Sequence, residues 1–221
     1  MNNINYNTEM ENLIKTFDSK KTLLLHSCCG PCSTAVITRL KDYFDITVFY
    51  YNPCLYPDSE YEKRLHEQIK FIEELNTTLT DKIKIIVPDY LPDTFMKKTV
   101  GMESEPEGGA RCKVCYADRI GATFEYANTH NYQYFGTTLS VSPYKHSDWL
   151  NEIGLKLENE KTKYLVSDFK KKDGYKLSLD LSKKYHLYRQ NYCGCKFSYL
   201  SMLEREQEQN NIDNNNNSNI N

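Results

Sequence analysis

The sequence lacks the segments that would place a protein across a membrane or outside the cell. No apolar run approaches the roughly 20 residues that a transmembrane helix requires, and the longest are short pieces such as ITVFYY at 46–51. The first ten residues, MNNINYNTEM, do not contain the basic and then apolar segments of a secretory signal peptide. We therefore expect a cytoplasmic protein whose thiols stay reduced.

A strong net charge is also missing. The formal charge is −2 at pH 7, so any contact with nucleic acid would need a local basic patch. The last residues, NNIDNNNNSNIN, have almost no apolar side chains and are expected to be disordered, because they cannot offset the entropy of ordering. About 200 residues remain, enough for one domain with a sizeable core. We predict a helical extension at 1–20, the main domain at 21–205 and an Asn-rich disordered tail at 206–221.

Short apolar runs alternate with longer amphipathic stretches along the main domain. The runs predict strands, and the stretches between them predict helices. This alternation favours an α/β fold with a doubly wound, mainly parallel sheet, in which ligands bind at the carboxyl ends of the strands. The predicted strands are 21–27, 45–52, 82–87, 132–140 and 162–169, and the predicted helices are 8–18, one from Pro31, 58–76, 110–127, 147–160 and, as the last helix, 178–188.

Eight cysteines are the most informative feature of the sequence. In a reducing compartment they indicate metal or catalytic sites more readily than disulfides. Structural zinc and a cubane iron–sulfur cluster each take about four ligands, so the remaining clustered thiols suggest a second metal or redox chemistry. Cys54 stands alone in the sequence and is interpreted as a core cysteine. The others form three groups: Cys28, Cys29 and Cys32; Cys112 and Cys115; Cys193 and Cys195.

The first group includes Cys29-Gly30-Pro31-Cys32, which matches the dithiol motif of thioredoxin. The context differs, because a thioredoxin domain is about half as long and carries no further clustered thiols. A helix beginning after Gly30 lowers the pKa of a nearby thiol, which helps a metal ligand as much as a nucleophile. The motif therefore favours metal binding, and a thiol–disulfide oxidoreductase using Cys29 and Cys32 stays open as an alternative.

Four blocks of the sequence resemble the epoxyqueuosine reductase family QueH: HSCCGPCS (26–33), EGGARCKVCYADRI (107–120), GTTLSVSPYKH (136–146) and GYKLSLDLSKKYHLYRQNYCGCKFS (174–198). A weaker fifth block is YNPCLYPDSEYEKR (51–64), where members usually have Asn at the position of Cys54. The resemblance implies an adenine-nucleotide alpha-hydrolase-like fold without its ATP-binding loop. It also implies that residues 21–205 form a QueH-like catalytic domain, with a cysteine-rich metal site at the carboxyl edge of the strands.

The family's activity implies that the protein reduces epoxyqueuosine to queuosine at the wobble position of tRNA, the last step of queuosine biosynthesis. Opening the epoxide to an alkene removes one oxygen with two electrons and two protons, and the resemblance implies a [4Fe-4S] cluster beside a second metal, a mononuclear iron. Cys32 falls where members vary between Cys and Asp. The implied cofactor ligands are Cys28, Cys29, Cys112, Cys115, Cys193 and Cys195, with Cys32 as a further metal ligand and Cys28, Cys29 and Cys32 as catalytic residues.

The implied partners are tRNA carrying epoxyqueuosine and an electron donor that the sequence does not identify. Basic residues near the cysteines are expected to meet phosphates of the anticodon loop, and tyrosines to stack on its bases. The predicted substrate-binding residues are Arg111, Tyr144, Lys145, Tyr188 and Arg189, and candidates for the proton donor are His26, His146, Tyr188 and Tyr192.

Two further functions remain as rivals. A zinc-stabilised RNA-binding protein without redox activity would be colourless and hold one or two zinc ions. An ATP-dependent RNA-thiolating enzyme of similar fold is disfavoured because no glycine-rich phosphate loop is present; Gly108-Gly109 is too weak a signal to replace it.

Overall fold

A five-stranded parallel sheet forms the centre of the protein. The structure, a computed structural model, describes residues 4–218, with side chains described for 4–211. The strands lie in the order β3-β2-β1-β4-β5, and every pairing between neighbours is parallel. The predicted α/β fold with a doubly wound sheet is therefore confirmed. The strands are β1 Lys21–His26, β2 Phe44–Phe49, β3 Lys84–Ile86, β4 Tyr134–Thr137 and β5 Lys163–Tyr164.

Helices cover both faces of the sheet. Helices α2, α3 and α7 pack together on one face, while α5 and α6 pack on the other. A short 3-10 turn, Leu139–Val141, follows β4. The helices are α1 Tyr6–Ile14, α2 Gly30–Leu40, α3 Asp58–Asn76, α4 Pro92–Lys98, α5 Ala110–Thr129, α6 Ser147–Leu157, α7 Gly174–Lys184 and α8 Lys196–Ser218.

Strand β1 shows why the sheet is buried on both sides. Its three consecutive leucines are each 0% exposed. Leu23 and Leu25 join the core under α2, and Leu24 joins the core under α5. Successive side chains of a strand point to opposite faces, so a continuous apolar run is what a strand between two helical layers requires.

The structure corrects several predicted boundaries. The strand predicted at 162–169 is paired only at Lys163–Tyr164, and the helix predicted at 178–188 begins at Gly174 and ends at Lys184. It is not the last helix, because α8 follows the final cysteines. Helices α4 and α8 were not predicted, because α4 is short and α8 lacks a continuous apolar stripe.

The predicted tail lies partly outside the described residues, since side chains from 212 onwards and all of 219–221 are not described. The predicted tail and domain boundaries therefore stay predictions.

The carboxyl ends of the three central strands meet at one edge. His26, the last residue of β1, is in register with Phe49 of β2 and with Thr137 of β4. The segments that follow these strands therefore start side by side. They carry the first cysteine group, Cys54 and the 3-10 turn.

Candidate metal centre and active site

The first cysteine group lies between β1 and α2. Cys29 precedes α2 in an extended conformation, and Pro31 lies in the first turn. The sulfur atoms of Cys28, Cys29 and Cys32 all lie within 4.8 Å of one another, and those of Cys28 and Cys29 are 3.9 Å apart. Cys28 and Cys29 are buried, while Cys32 is half-buried. Three thiols at this spacing can bind one metal ion together or bind adjacent metals.

Neighbouring segments hold this loop in place. The Asn52 side-chain amide donates to the Ser27 carbonyl oxygen at 2.8 Å, and the Ser27 hydroxyl donates to Gln68 of α3 at 2.7 Å. A Cβ at Gly30 would lie 2.7 Å from the Glu67 carbonyl oxygen, so α2 can begin this close to α3 only with glycine. Hydrogen bonds from Cys28 and Cys32 hold the pKa of Cys29 well below its usual value.

The second group lies on α5, where Cys112 and Cys115 are buried one turn apart. The Gly108 backbone N–H donates to the Cys112 sulfur at 3.2 Å. Arg119, one turn further along, donates from Nη2 to the Cys115 sulfur at 3.1 Å. Both donors favour the thiolate, the form that binds metals. Burial nevertheless raises the pKa of Cys112, and a hydrogen bond with Cys54 together with burial raises the pKa of Cys115.

The third group lies in the loop before α8. Gly194 has a φ of +125°, a conformation that favours glycine, so Cys193 and Cys195 stand on either side of a turn. Lys145 Nζ lies 2.6 Å from the Cys193 sulfur. Cys195 instead packs beside Cys54 and Cys115. The two thiols of this group therefore have different neighbours.

Arg119 connects the three groups electrostatically. It is 4% exposed, and no carboxylate pairs with it among the residues whose side chains are described. Burial lowers the pKa of Arg119, but the negative charges of Cys115 and of thiols in the other groups raise it by more. The pKa of Arg119 is therefore well above its usual value. A buried, unpaired charge costs several kcal/mol, so this guanidinium requires ionised thiols around it. Metal binding ionises thiols, and the donor set therefore fits a thiolate-bound metal centre.

A cavity of about 560 Å³ opens onto this centre, and Cys28, Cys32 and Cys193 line it. Of the predicted substrate-binding residues, Tyr144, Lys145 and Arg189 line it as well. A larger cavity, about 760 Å³, lies around the opposite ends of β1 and β2, and its lining includes no cysteine. The smaller cavity is therefore the candidate active site.

Arg111 and Tyr188 are placed differently from the other predicted substrate-binding residues. Arg111 is 5% exposed and donates to the backbone carbonyl oxygen of Met102 at 2.7 Å, with Phe197 stacked 4.0 Å away. The Tyr188 hydroxyl donates to the Glu60 carboxylate at 3.2 Å. Both side chains already have partners in the fold, and their predicted contacts with tRNA stay predictions.

The candidate proton donors also differ in position. His26 is buried, with one ring nitrogen 3.1 Å from the Tyr51 carbonyl oxygen. That oxygen only accepts, so this nitrogen, Nε2, carries the proton. Burial lowers the pKa of His26 to about 4, which keeps the imidazole neutral near pH 7. His146 and Tyr192 line the cavity.

Sequence analysis missed several side chains that contact the cysteine loops or sulfurs, and four of them are the following. Arg64 donates to the Cys193 carbonyl oxygen at 2.9 Å, and the Gln190 side-chain amide lies 3.3 Å from the Cys29 sulfur. Arg119 and Cys54 complete the set. All four fall inside the blocks at 51–64, 107–120 and 174–198, which was the available signal.

The chain is similar to known proteins over most of its length. The family model for epoxyqueuosine reductase QueH matches residues 23–201. The chain is 39% identical over 203 residues to a protein of that name from Staphylococcus epidermidis, covering 89% of this chain and 85% of the relative. It is 36% identical over 199 residues to one from Streptococcus pyogenes, covering 88% and 78%, and 32% identical over 197 residues to one from Thermotoga maritima, covering 85% and 95%.

The described residues include no helix long and apolar enough to span a membrane. The family match extends from β1 into α8 and includes every cysteine of the site. The chain belongs to the epoxyqueuosine reductase QueH family.

Proposed function

We propose that this protein reduces epoxyqueuosine to queuosine at the wobble position of tRNA. The observation that supports this most directly is the coincidence of the family match with a compact group of three thiols, Cys28, Cys29 and Cys32, beside a cavity that Cys193 also lines. A cytosolic location suits the reaction, because the thiols must stay reduced to bind metal.

The thiolates would hold a [4Fe-4S] cluster and a second, mononuclear iron. These groups supply electrons one at a time and a Lewis acid for the epoxide oxygen. Three buried or half-buried cations near the sulfurs, Arg64, Arg119 and Lys145, offset the negative charge of such a thiolate-rich centre. The proposed ligands are Cys28, Cys29, Cys32, Cys112, Cys115, Cys193 and Cys195.

The chain's own residues would bind and orient the modified base. A cavity of about 560 Å³ lies within the range that ordinarily accepts a small molecule, so it has room for a flipped-out nucleoside. Tyr144, 75% exposed at the cavity mouth, is free to stack on a base. Arg189 bonds to the Ser182 hydroxyl at 3.1 Å, which orients its guanidinium in the cavity lining for a phosphate.

Protons would come from residues in the cavity. His146 and Tyr192 are the proposed donors, since both line it; the Tyr192 hydroxyl, which donates to the Tyr56 carbonyl oxygen at 2.6 Å, would have to leave that partner. His26, the last residue of β1, is neutral and buried and does not line the cavity. Lys145 has a different role in this scheme: its ammonium group lies on the Cys193 sulfur and opposes the rise in the Cys193 pKa that burial causes.

Anaerobic purification followed by metal analysis tests the proposal. We expect brown protein with about four or five iron and about four sulfide per chain, and conversion of epoxyqueuosine in isolated tRNA when a chemical reductant is supplied. Colourless protein with stoichiometric zinc, unchanged by anaerobic cluster reconstitution, would contradict the reductase and support the zinc-stabilised RNA-binding protein.

A further inference from the structure

Cys54 is isolated in the sequence but not in the fold. It lies in the segment between β2 and α3 and is 6% exposed. This segment is bonded to two cysteine loops at once. Asn52 donates to the Ser27 carbonyl oxygen at 2.8 Å, and the Tyr56 backbone N–H donates to the Gly194 carbonyl oxygen at 2.8 Å. Cys54 is therefore positioned between the first and third thiol groups by hydrogen bonds on both sides of it.

The immediate neighbours of Cys54 include two proposed metal ligands. It packs in one buried cluster with Cys115 and Phe95, and Cys195 packs against the same cluster. The thiols of Cys54 and Cys115 are within hydrogen-bonding reach of each other. Two neighbouring thiols that form no disulfide are available as ligands of one metal.

The charge around these thiols supports the same role. Arg119 donates to the Cys115 sulfur at 3.1 Å, and its positive charge also acts on Cys54. No carboxylate among the described side chains pairs with Arg119, so its charge has to be balanced by thiolates.

A buried cysteine can also act as a small apolar side chain, and contact with Phe95 and Met96 fits that role. Packing alone explains the burial of Cys54. Packing does not explain why the Cys54 thiol lies against the proposed ligand Cys115. It also does not explain why the thiol is close to the Arg119 guanidinium, which has no carboxylate partner among the described side chains.

We propose that Cys54 is an eighth thiolate of the metal centre and binds the same metal as Cys115. This inference rests on the proposed metal centre and adds a ligand to it. The ligand class is a thiophilic metal ion, either iron of a cluster or a single tetrahedral cation.

Co²⁺ alone serves as the probe, because its sulfur-to-metal charge-transfer band grows with each thiolate bound. The full-length chain is freed of metal and titrated anaerobically with Co²⁺, alongside C54A, C54S and C115A. The matched control is Phe95→Leu, which disturbs the packing around Cys54 without removing a thiol. Circular dichroism monitors folding of each variant. Iron and sulfide contents of the proteins as isolated provide a second readout.

For C54A and C54S we expect a weaker charge-transfer band and Co²⁺ affinity reduced by about tenfold or more, with the F95L protein resembling wild type. C115A should show the same change. If both Cys54 variants have wild-type spectra and affinity while C115A is impaired, Cys54 is not a ligand, and the rest of the metal centre stands. Equal losses in C54A and F95L would also overturn the role of Cys54 and assign the effect to packing. Failure of the wild-type chain to bind Co²⁺ or iron would overturn the metal centre itself.

Discussion

The guanidinium of Arg64 donates a hydrogen bond of 2.9 Å to the carbonyl oxygen of Cys193, 129 residues further along the chain. A second bond reaches the Tyr192 carbonyl oxygen at 3.2 Å, and Glu60 pairs with the same guanidinium at 2.7 Å. Arg64 is 1% exposed. Helix α3 therefore anchors the loop that carries the third cysteine group, and the position of that loop depends on a buried ion pair.

Replacing Arg64 with Met should lower the free energy of unfolding by about 3–5 kcal/mol, because Glu60 is left buried without its partner. Iron content should fall as well, since the Cys193 loop loses its anchor. Urea denaturation and metal analysis measure the two effects. Lys20→Met, which breaks an exposed ion pair with Asp81, is the control and should cost at most about 1 kcal/mol. Normal iron content in Arg64→Met would contradict the anchoring role.

Gly194→Ala should reduce metal content. A Cβ there would lie 2.5 Å from a Leu55 methyl and 2.6 Å from Arg64 Nη1, and the φ of +125° is unfavourable for alanine. Gly121→Ala in α5 has open space around it and should stabilise the helix by about 0.5–1 kcal/mol. Iron analysis and thermal unfolding compare the two variants. Full metal content in Gly194→Ala would show that the turn tolerates a side chain.

Cys193→Ser and Cys32→Ser distinguish a metal centre from disulfide exchange. If both cysteines are ligands, each change should lower iron content and reduce tRNA-dependent turnover by about tenfold or more. A thiol–disulfide oxidoreductase that uses Cys29 and Cys32 gives a different pattern. In that case Cys32→Ser would abolish activity while Cys193→Ser would leave it intact.

Stability should depend on pH through His26. Its folded pKa of about 4 lies below the usual value of 6.5, so the unfolded chain binds more protons between these values and stability rises with pH across that window. The contribution, about 3 kcal/mol, is complete above pH 6.5 and is lost as the pH falls towards 4. The difference in unfolding free energy between wild type and His26→Gln, measured across this window, isolates it. A difference that is constant with pH would contradict the prediction.

Tyr144→Ala should weaken binding of tRNA. Stacking on a base contributes about 1–3 kcal/mol, so the dissociation constant should rise by roughly 5- to 150-fold, and iron content should not change. Fluorescence anisotropy with an anticodon stem-loop measures the affinity. Tyr43→Ala is the control, because Tyr43 is also exposed but lies just before β2, at the opposite edge of the sheet. Equal affinities of the two variants for the stem-loop would show that Tyr144 does not contact the RNA.

Local sequence was enough to predict the sheet and the grouping of thiols. Leu23 to Leu25 form a continuous apolar run, which is typical of a strand buried on both faces. Cys112 and Cys115 are one helical turn apart, so their common face follows from helix geometry alone. These features depend on residues near one another in the chain, and spacing specifies them directly.

Only the tertiary structure determined what surrounds the thiols. Cys54 lies against Cys115, and Arg64 reaches the Cys193 loop, because the N-terminal parts of α3 and α5 and the loop before α8 lie at the same edge of the sheet. Arg111, basic and next to a cysteine in the sequence, proved to be turned towards backbone carbonyls. Spacing along the chain specifies the face of one element, whereas contacts between distant elements depend on how their side chains pack. The sequence by itself therefore determined the family and the cysteine groups, and packing decided their partners.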